Sequence, residues 1–239
     1  MIKEFSNELL EKAKKIHIIL TQEQVEQFYR YMQLLVEWNE KMNLTAITEQ
    51  KEVILKHFID SISINKYIKD VEKVIDVGTG AGFPGIPLKI INKEVSFTLM
   101  DSLNKRITFV QEVSNMLYLD KIECLHARAE ELSSNVRYRE QYDIVTSRAV
   151  ARLSTLLEYM LPFVKEGGKC ICMKGSHFEE ELEESKKAIE VLGGELETVE
   201  HFVLPDSDIE RNIIVIKKVR NTPKKYPRKA GVPSKQPII

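Results

Sequence analysis

The segment Val74-Ile75-Asp76-Val77-Gly78-Thr79-Gly80-Ala81-Gly82-Phe83-Pro84-Gly85 constrains this chain more than any other: an apolar run enters a glycine-rich turn and then a helix. A strand covered on both faces reads as such a run. Glycines let the backbone turn sharply and approach a ligand closely, and the first N–H groups of the following helix are free to hold an anion. The segment therefore predicts a ligand site in the loop after residues 74–77. Asp76, the acidic residue at the strand end, is placed either to accept from an ammonium group or to organise the loop.

From residue 71 onward short strand-like runs alternate with helical stretches, the pattern of a parallel sheet with crossover helices. Strands are expected at residues 74–77, 96–100, 122–126, 142–147, 169–173, 195–204 and 213–219. Only residues 205–212 separate the last two, too few for a crossover helix, so that pair should be antiparallel. The first 70 residues instead repeat apolar positions at three- and four-residue spacing, as in Leu9, Leu10, Ala13 and Ile16, or Phe28, Met32, Leu35 and Val36. Thr21 with Gln24 resembles a capping box for the second helix, and a third helix is expected to carry Val53, His57, Ile64 and Ile68. The predicted architecture is α/β and Rossmann-like. A seven-stranded, mostly parallel sheet with an antiparallel last strand spans residues 71–219, between a helical cap (1–70) and a C-terminal arm (220–239).

Bulk properties exclude some classes of function. Nowhere do about 18 apolar residues run together as a bilayer span requires, and the first residues carry no apolar signal region, so a cytoplasmic protein is expected. Cys124, Cys170 and Cys172 form neither a disulfide framework nor a Cys-x-x-Cys metal pair, and they read as reduced core residues. No metal is expected. The formal net charge of −1 hides an asymmetry: Arg220, Lys224, Lys225, Arg228, Lys229 and Lys235 stand in a tail with no acidic residue, which leaves −7 for residues 1–219. A basic tail on an acidic body keeps a nucleic-acid partner open. Four of the eight prolines, Pro223, Pro227, Pro233 and Pro237, also lie there. They predict an extended arm that gains order only by docking on the body or on a ligand.

Two nucleotide-type readings compete for the loop. Gly80-x-Gly82-x-x-Gly85 matches the dinucleotide fingerprint, but it begins three residues beyond the strand and contains Pro84. The tighter Gly78-x-Gly80-x-Gly82 directly after Asp76 suits a methyltransferase that binds S-adenosylmethionine, with the methionine carboxylate at the helix start. Asp101 lies 21 positions after Gly80 and is placed to accept from ribose hydroxyls, or simply to cap a helix. After the third strand, Arg128-Ala129-Glu130 puts small and acidic groups where an adenine edge would sit. Glu130 equally reads as a charge in the first turn of a helix.

Tyr142-Asp143-Ile144-Val145, then Leu161-Pro162-Phe163-Val164-Lys165-Glu166-Gly167-Gly168 before Cys170-Ile171-Cys172-Met173, complete the order found in class I methyltransferases. Finer motifs are Trp38-Asn39 with Asn43-Leu44-Thr45, His57-Phe58-Ile59-Asp60-Ser61, Gly80-Ala81-Gly82-Phe83-Pro84-Gly85-Ile86-Pro87, Ser147-Arg148-Ala149 and Met173-Lys174-Gly175. Together they resemble the ribosomal RNA small subunit methyltransferase G family, over nearly the whole chain. The resemblance implies methylation of guanine N7 in the decoding-region loop of small-subunit ribosomal RNA. It also implies donor contacts at Gly78, Phe83, Ala129, Glu130 and Arg148, and basic positioning groups at Arg128, Arg148 and Lys174.

The chemistry fits such a reaction. Guanine N7 is already a ring acceptor with an in-plane lone pair, so no general base is needed and alignment can supply much of the catalysis. No side chain is assigned here as an acid or base. A cytosine C5 enzyme would need a thiolate, and the cysteines fall inside strands. Enzymes methylating amino groups of bases present an Asn or Asp followed by two prolines where Ser147-Arg148-Ala149-Val150 stand. Arg148 can bond the cofactor, a phosphate or the guanine O6, or sit in an ion pair. His57 lines the site mouth or is packed. Trp38 is a core anchor or a stacking platform for a base. The rival functions are a methyltransferase acting on protein or a small molecule, a nicotinamide-dependent oxidoreductase, and an RNA-binding assembly factor without turnover.

Overall fold

Seven strands, β1 (Lys73–Val77), β2 (Ser96–Asp101), β3 (Ile122–His126), β4 (Tyr142–Arg148), β5 (Val164–Lys174), β6 (Gly194–Val203) and β7 (Glu210–Lys218), form one sheet in the order β3-β2-β1-β4-β5-β7-β6. The computed structural model describes residues 2–68, 71–148, 151–176 and 178–239. The first five strands are parallel, and β7 runs antiparallel to both β5 and β6. The sheet is α/β, with the antiparallel ending that the short 205–212 connection predicts. β5 begins earlier than the expected 169, because Val164 pairs with Tyr142 before a register shift lets Lys169 pair with Ile144. A bulge of that kind cannot be read from periodicity.

Strand side chains alternate between two cores. Val74, Ile144, Ile171 and Val215 face one, while Ile75, Val145, Cys170 and Ile216 face the other, as the two-residue period of a strand requires. The three cysteines are free, with Cys170 and Cys172 fully buried. On the first face pack α1 (Ile2–Lys15) and α2 (Gln22–Met42), whose Phe5, Phe28 and Tyr31 join Phe58, Phe97 and Phe109 in a continuous core. The capping box at the start of α2 is present. Thr21 Oγ1 accepts from Gln24 N at 3.2 Å and Gln24 Oε1 from Thr21 N at 2.9 Å. Half-buried Trp38 packs on Phe109 at 5.5 Å between ring centroids, so it is an anchor rather than a free platform.

The expected third helix is less regular than its sequence suggests. α3 (Gln50–Glu52) widens into a π-helical turn at Val53–Ile59 and tightens again in α4 (Asp60–Ile62), before a 3₁₀ turn at Asn65–Tyr67. The first face is completed by α5 (Gly85–Ile91) and α6 (Asn104–Met116). The second carries α7 (Ala129–Leu132), α8 (Leu153–Met160), α9 (Glu179–Glu184) and α10 (Lys186–Val191).

The tail is a docked strap, not a free arm, and it ends in a helical turn, α11 (Val232–Lys235). Arg139 donates to Thr222 O at 2.8 Å and to Tyr226 O at 2.9 Å. Arg228 makes a two-pronged pair with Glu158 of α8, which is fully buried. Thr155 donates to Pro233 O, and Ile238 enters the second core. Among the described residues no helix is long and apolar enough to cross a membrane, and no cluster of His, Cys, Asp or Glu could hold a metal ion.

Candidate active site

The strand order reverses between β1 and β4, and in open sheets of this kind ligands sit in the crevice at that point, beyond the carboxyl ends of the strands. The loop after β1 lies there. Its first N–H groups, on Gly78 and Thr79, both donate to Met100 O of β2 at 2.9 Å. Asp76 is fully buried, and one oxygen accepts from Thr79 Oγ1 at 2.7 Å and from Gly85 N at 3.0 Å. It therefore ties the two ends of the loop together, the organising role of the two left open by the sequence. Burial raises its carboxyl to about 6 against the pull of those two bonds.

The glycines divide their work. At Gly82, with φ 95°, a Cβ would lie 2.6 Å from Tyr31 Oη and 2.7 Å from Ile86 Cγ1, so this glycine admits α2 against the loop. Tyr31 Oη donates to Ala81 O from that side. At Gly80, with φ 61°, a Cβ would meet nothing within 4 Å. That open side faces a cleft of about 400 Å³ lined by Gly78, Gly80, Phe83, Asp101 and Arg148 among others, a size typical of small-molecule sites.

Asp101 stands at the end of β2, 2 % exposed, and is already busy. Its Oδ2 accepts from Gly80 N at 3.0 Å and Arg106 Nη1 at 3.2 Å, and its Oδ1 from Leu103 N at 2.9 Å. Phe83 is buried in a stack, with Tyr31 at 5.3 Å and the His57 ring at 4.4 Å. The Arg148 guanidinium lies 5.0 Å from its centroid.

Arg148, the last residue of β4, and His57, on the π-helical turn, also line a second cleft of about 340 Å³ with Asp60, Lys174 and Arg211. They form the partition between the two spaces. The π-helical turn presents the Lys56 carbonyl to Arg148 Nη1 at 3.0 Å. The same nitrogen donates to Asp60 Oδ2 at 3.2 Å, and Nη2 to His57 Nδ1 at 3.2 Å. With Nδ1 accepting, the ring proton belongs on Nε2, 2.9 Å from Thr45 Oγ1. Burial, reinforced by the Arg148 charge, depresses the imidazole to about 3. His57 is thus neutral, with both nitrogens engaged.

The other residues singled out by sequence are dispersed. Asp76 and Gly82 lie behind the wall of the first cleft rather than in it. Ala129 and Glu130 open α7, both nearly buried, and neither lines the first cleft. Glu130 Oε1 accepts instead from Gly231 N of the strap at 3.2 Å. Arg128 is exposed at the N-cap of α7. Lys174 lines the second cleft, held by Ala151 O at 2.7 Å and Glu181 at 2.8 Å. Ala149 and Val150 lie outside the described residues. Sequence reasoning missed Tyr31, Arg106 and Arg211, and set Asp60 only beside His57 at the site mouth. Asp60 was within reach, since its three-residue spacing from His57 puts both on one helix face.

Residues 24–214 match the model of the family described as rRNA small subunit methyltransferase G. The chain belongs to this family. A relative named ribosomal RNA small subunit methyltransferase G from Acetivibrio thermocellus is 57 % identical over 231 residues, 96 % of this chain and 95 % of that protein. A relative of the same name from Bacillus subtilis (strain 168) is 52 % identical over 239 residues, 99 % of this chain and 98 % of its own. Family membership thus covers both the sheet and the N-terminal helices. Among solved structures, M. jannaschii TYW2 in complex with AdoMet gives a TM-score of 0.51 at 17 % identity, covering 67 % of this chain and 77 % of that one. A ribosomal protein L11 methylase from Lactobacillus delbrueckii subsp. bulgaricus gives 0.52 at 15 % identity, covering 69 % and 79 %. At such identities the likeness is one of fold: the class I methyltransferase sheet.

Proposed function

We propose that the chain transfers a methyl group to N7 of a guanine in the decoding-region loop of small-subunit ribosomal RNA. Membership of the family supports an rRNA methyltransferase, and its cofactor is S-adenosylmethionine, which supplies an electrophilic methyl on a sulfonium. The first cleft fits that cofactor. The open face at Gly80 leaves room for close approach of a ligand to backbone, and the Asp101 carboxylate at the end of β2 still has a lone-pair site beyond its three donors. Gly78, Gly80, Phe83, Asp101 and Arg148 would hold it.

The observation that carries the N7 reading is the partition. Two clefts meet across Arg148 and His57, and among the described residues no acid or base is free there. Asp60 and Asp101 are held by arginines, and the neutral His57 has both nitrogens occupied. An acceptor that must lose a proton would find no free base among the described residues of this wall, whereas guanine N7 attacks through a lone pair it already has. The protein's part is then to hold the acceptor in line and exclude water, an effect worth about 7–11 kcal/mol in well-oriented systems. Arg148 and Lys174 line the acceptor side, and exposed Arg128 offers a positive charge to the RNA backbone.

Mapping 7-methylguanine in small-subunit RNA from cells with and without this protein tests the reading. One modified guanine in the decoding-region loop should disappear with the protein, and purified protein with labelled donor should restore it. Label found on carbon or an amino group would overturn the assignment.

A further inference from the structure

The polar groups of the second cleft are one-sided. Asp60, 2 % exposed, is its only carboxylate among the described residues, and each oxygen is held by a different arginine: Oδ2 by Arg148 at 3.2 Å and Oδ1 by Arg211 Nε at 3.0 Å. Three further acceptors are engaged. Lys56 O receives Arg148 Nη1, Gly175 O receives Asn212 Nδ2 at 2.7 Å, and His57 Nδ1 receives Arg148 Nη2. Arg211 is fixed at Nε by Asp60 and at Nη1 by Glu210 O at 3.0 Å, and its Nη2 has no acceptor among the described residues. The wall therefore offers a ligand one unpartnered donor, Arg211 Nη2, while each of these acceptors already holds a bond.

That asymmetry discriminates between purines. Guanine carries N7 and the O6 acceptor on one edge, while adenine carries N7 beside an amino donor. If N7 is to attack, it must be left unbonded, so the choice falls on the exocyclic atom. A guanidinium N–H satisfies O6. The adenine amino group would meet that N–H donor against donor, and the bond to the base would be lost.

We propose that Arg211 is a specificity-determining residue which donates through Nη2 to O6 of the acceptor guanine in the second cleft, and that Asp60 is the positioning residue aiming Arg211 and Arg148 together. The inference rests on the reading that N7 is the acceptor. Arg211 does not line the donor cleft and reaches Arg148 only through Asp60, so its substitution should act first on the acceptor.

The test uses the full chain and small-subunit RNA bearing guanine, inosine, 2-aminopurine or 7-deazaguanine at the target. Inosine keeps N7 and O6, and 2-aminopurine keeps N7 but lacks O6. Intrinsic reactivity differs between these bases, but it cancels when the same pair is compared across enzyme variants. In Arg211→Gln, kcat/KM for guanine and inosine should fall about 10- to 100-fold, the value of one good contact. Turnover of 2-aminopurine should hardly change, and donor affinity should stay that of the parent. Asp60→Asn should shrink the same ratio through misaligned arginines. An undiminished guanine to 2-aminopurine ratio in Arg211→Gln with normal donor binding would overturn the proposal. If Arg211→Gln fails to fold, Arg211→Lys decides, since it keeps the charge beside Asp60 and loses the fork: the ratio must shrink there, and full retention overturns the proposal. Methylation of 7-deazaguanine would separately refute the N7 reading.

Discussion

Two buried groups of the site titrate in opposite senses, and the sign of each can be checked. The Asp76 carboxyl is near 6 in the fold and near 3.8 unfolded, so the folded chain binds the extra proton between those values. Its contribution is full below 3.8 and lost as pH rises through 6, about 3 kcal/mol at one pH unit per 1.4 kcal/mol. His57, near 3 folded and 6.5 unfolded, contributes stability above 6.5 that is lost as pH falls toward 3. Between pH 4 and 6 the two oppose each other. Asp76→Asn, whose amide oxygen can still accept from Thr79 and Gly85, removes one of them. Relative to the parent it should therefore gain stability as pH rises from 4 to 7, read from urea midpoints. A difference independent of pH would mean that Asp76 is not titrating in this window. Gly80 supplies a second test. Valine there would be strained at φ 61°, whereas asparagine tolerates that region. Gly80→Asn should melt within a few degrees of the parent yet bind S-adenosylmethionine at least tenfold more weakly by calorimetry, because its side chain enters the cleft.

The strap formed by residues 222–239 is the element whose role the fold most alters. Arg228 is spent on the buried Glu158, and Arg220 donates to Glu190 O, so Lys224, Lys225, Lys229 and Lys235 are the exposed cations left for phosphates. Two variants separate anchoring from RNA binding. Arg228→Met strands the Glu158 carboxylate in the interior, the costly way to break a buried pair, and should lower stability by about 3 kcal/mol in urea titrations. Replacing the four lysines by alanine should leave the melting temperature nearly unchanged but flatten the salt dependence of RNA binding, by roughly 0.7 in slope for each phosphate that is no longer neutralised. An unaltered slope would leave the strap as a structural brace alone.

At the scale of the molecule, the N-terminal helices and the sheet share one core. Phe5, Phe28 and Tyr31 lie against Phe58, Phe97 and Phe109, and α2 also sets the back of the glycine loop through Tyr31. A fragment beginning at residue 71 would expose that whole face, at about 1.5–3 kcal/mol for each large apolar side chain. It is expected to lose its cooperative melt and its donor binding together. A fragment that melted cooperatively and bound donor would show that residues 71–239 fold on their own.

Hydrophobic period, glycine spacing and connection length are local properties, so the sequence alone determined the succession of strands and helices, the antiparallel ending, the capping box at Thr21 and the loop after β1. The finer motifs, matched over nearly the whole chain, also determined the family. Asp101 and Arg148 were legible because strand ends face the crevice in any sheet of this topology. The tertiary structure decided what depends on distant partners. It showed that Asp76 braces the loop, that Glu130 receives the strap, and that the tail's positive charges are not all free. It also brought Arg211 of β7 to Asp60, 151 positions earlier in the chain. No periodicity reports such a pair, because the meeting of two side chains so far apart is fixed by strand order and core packing, and Arg211 alone reads as an ordinary solvated charge.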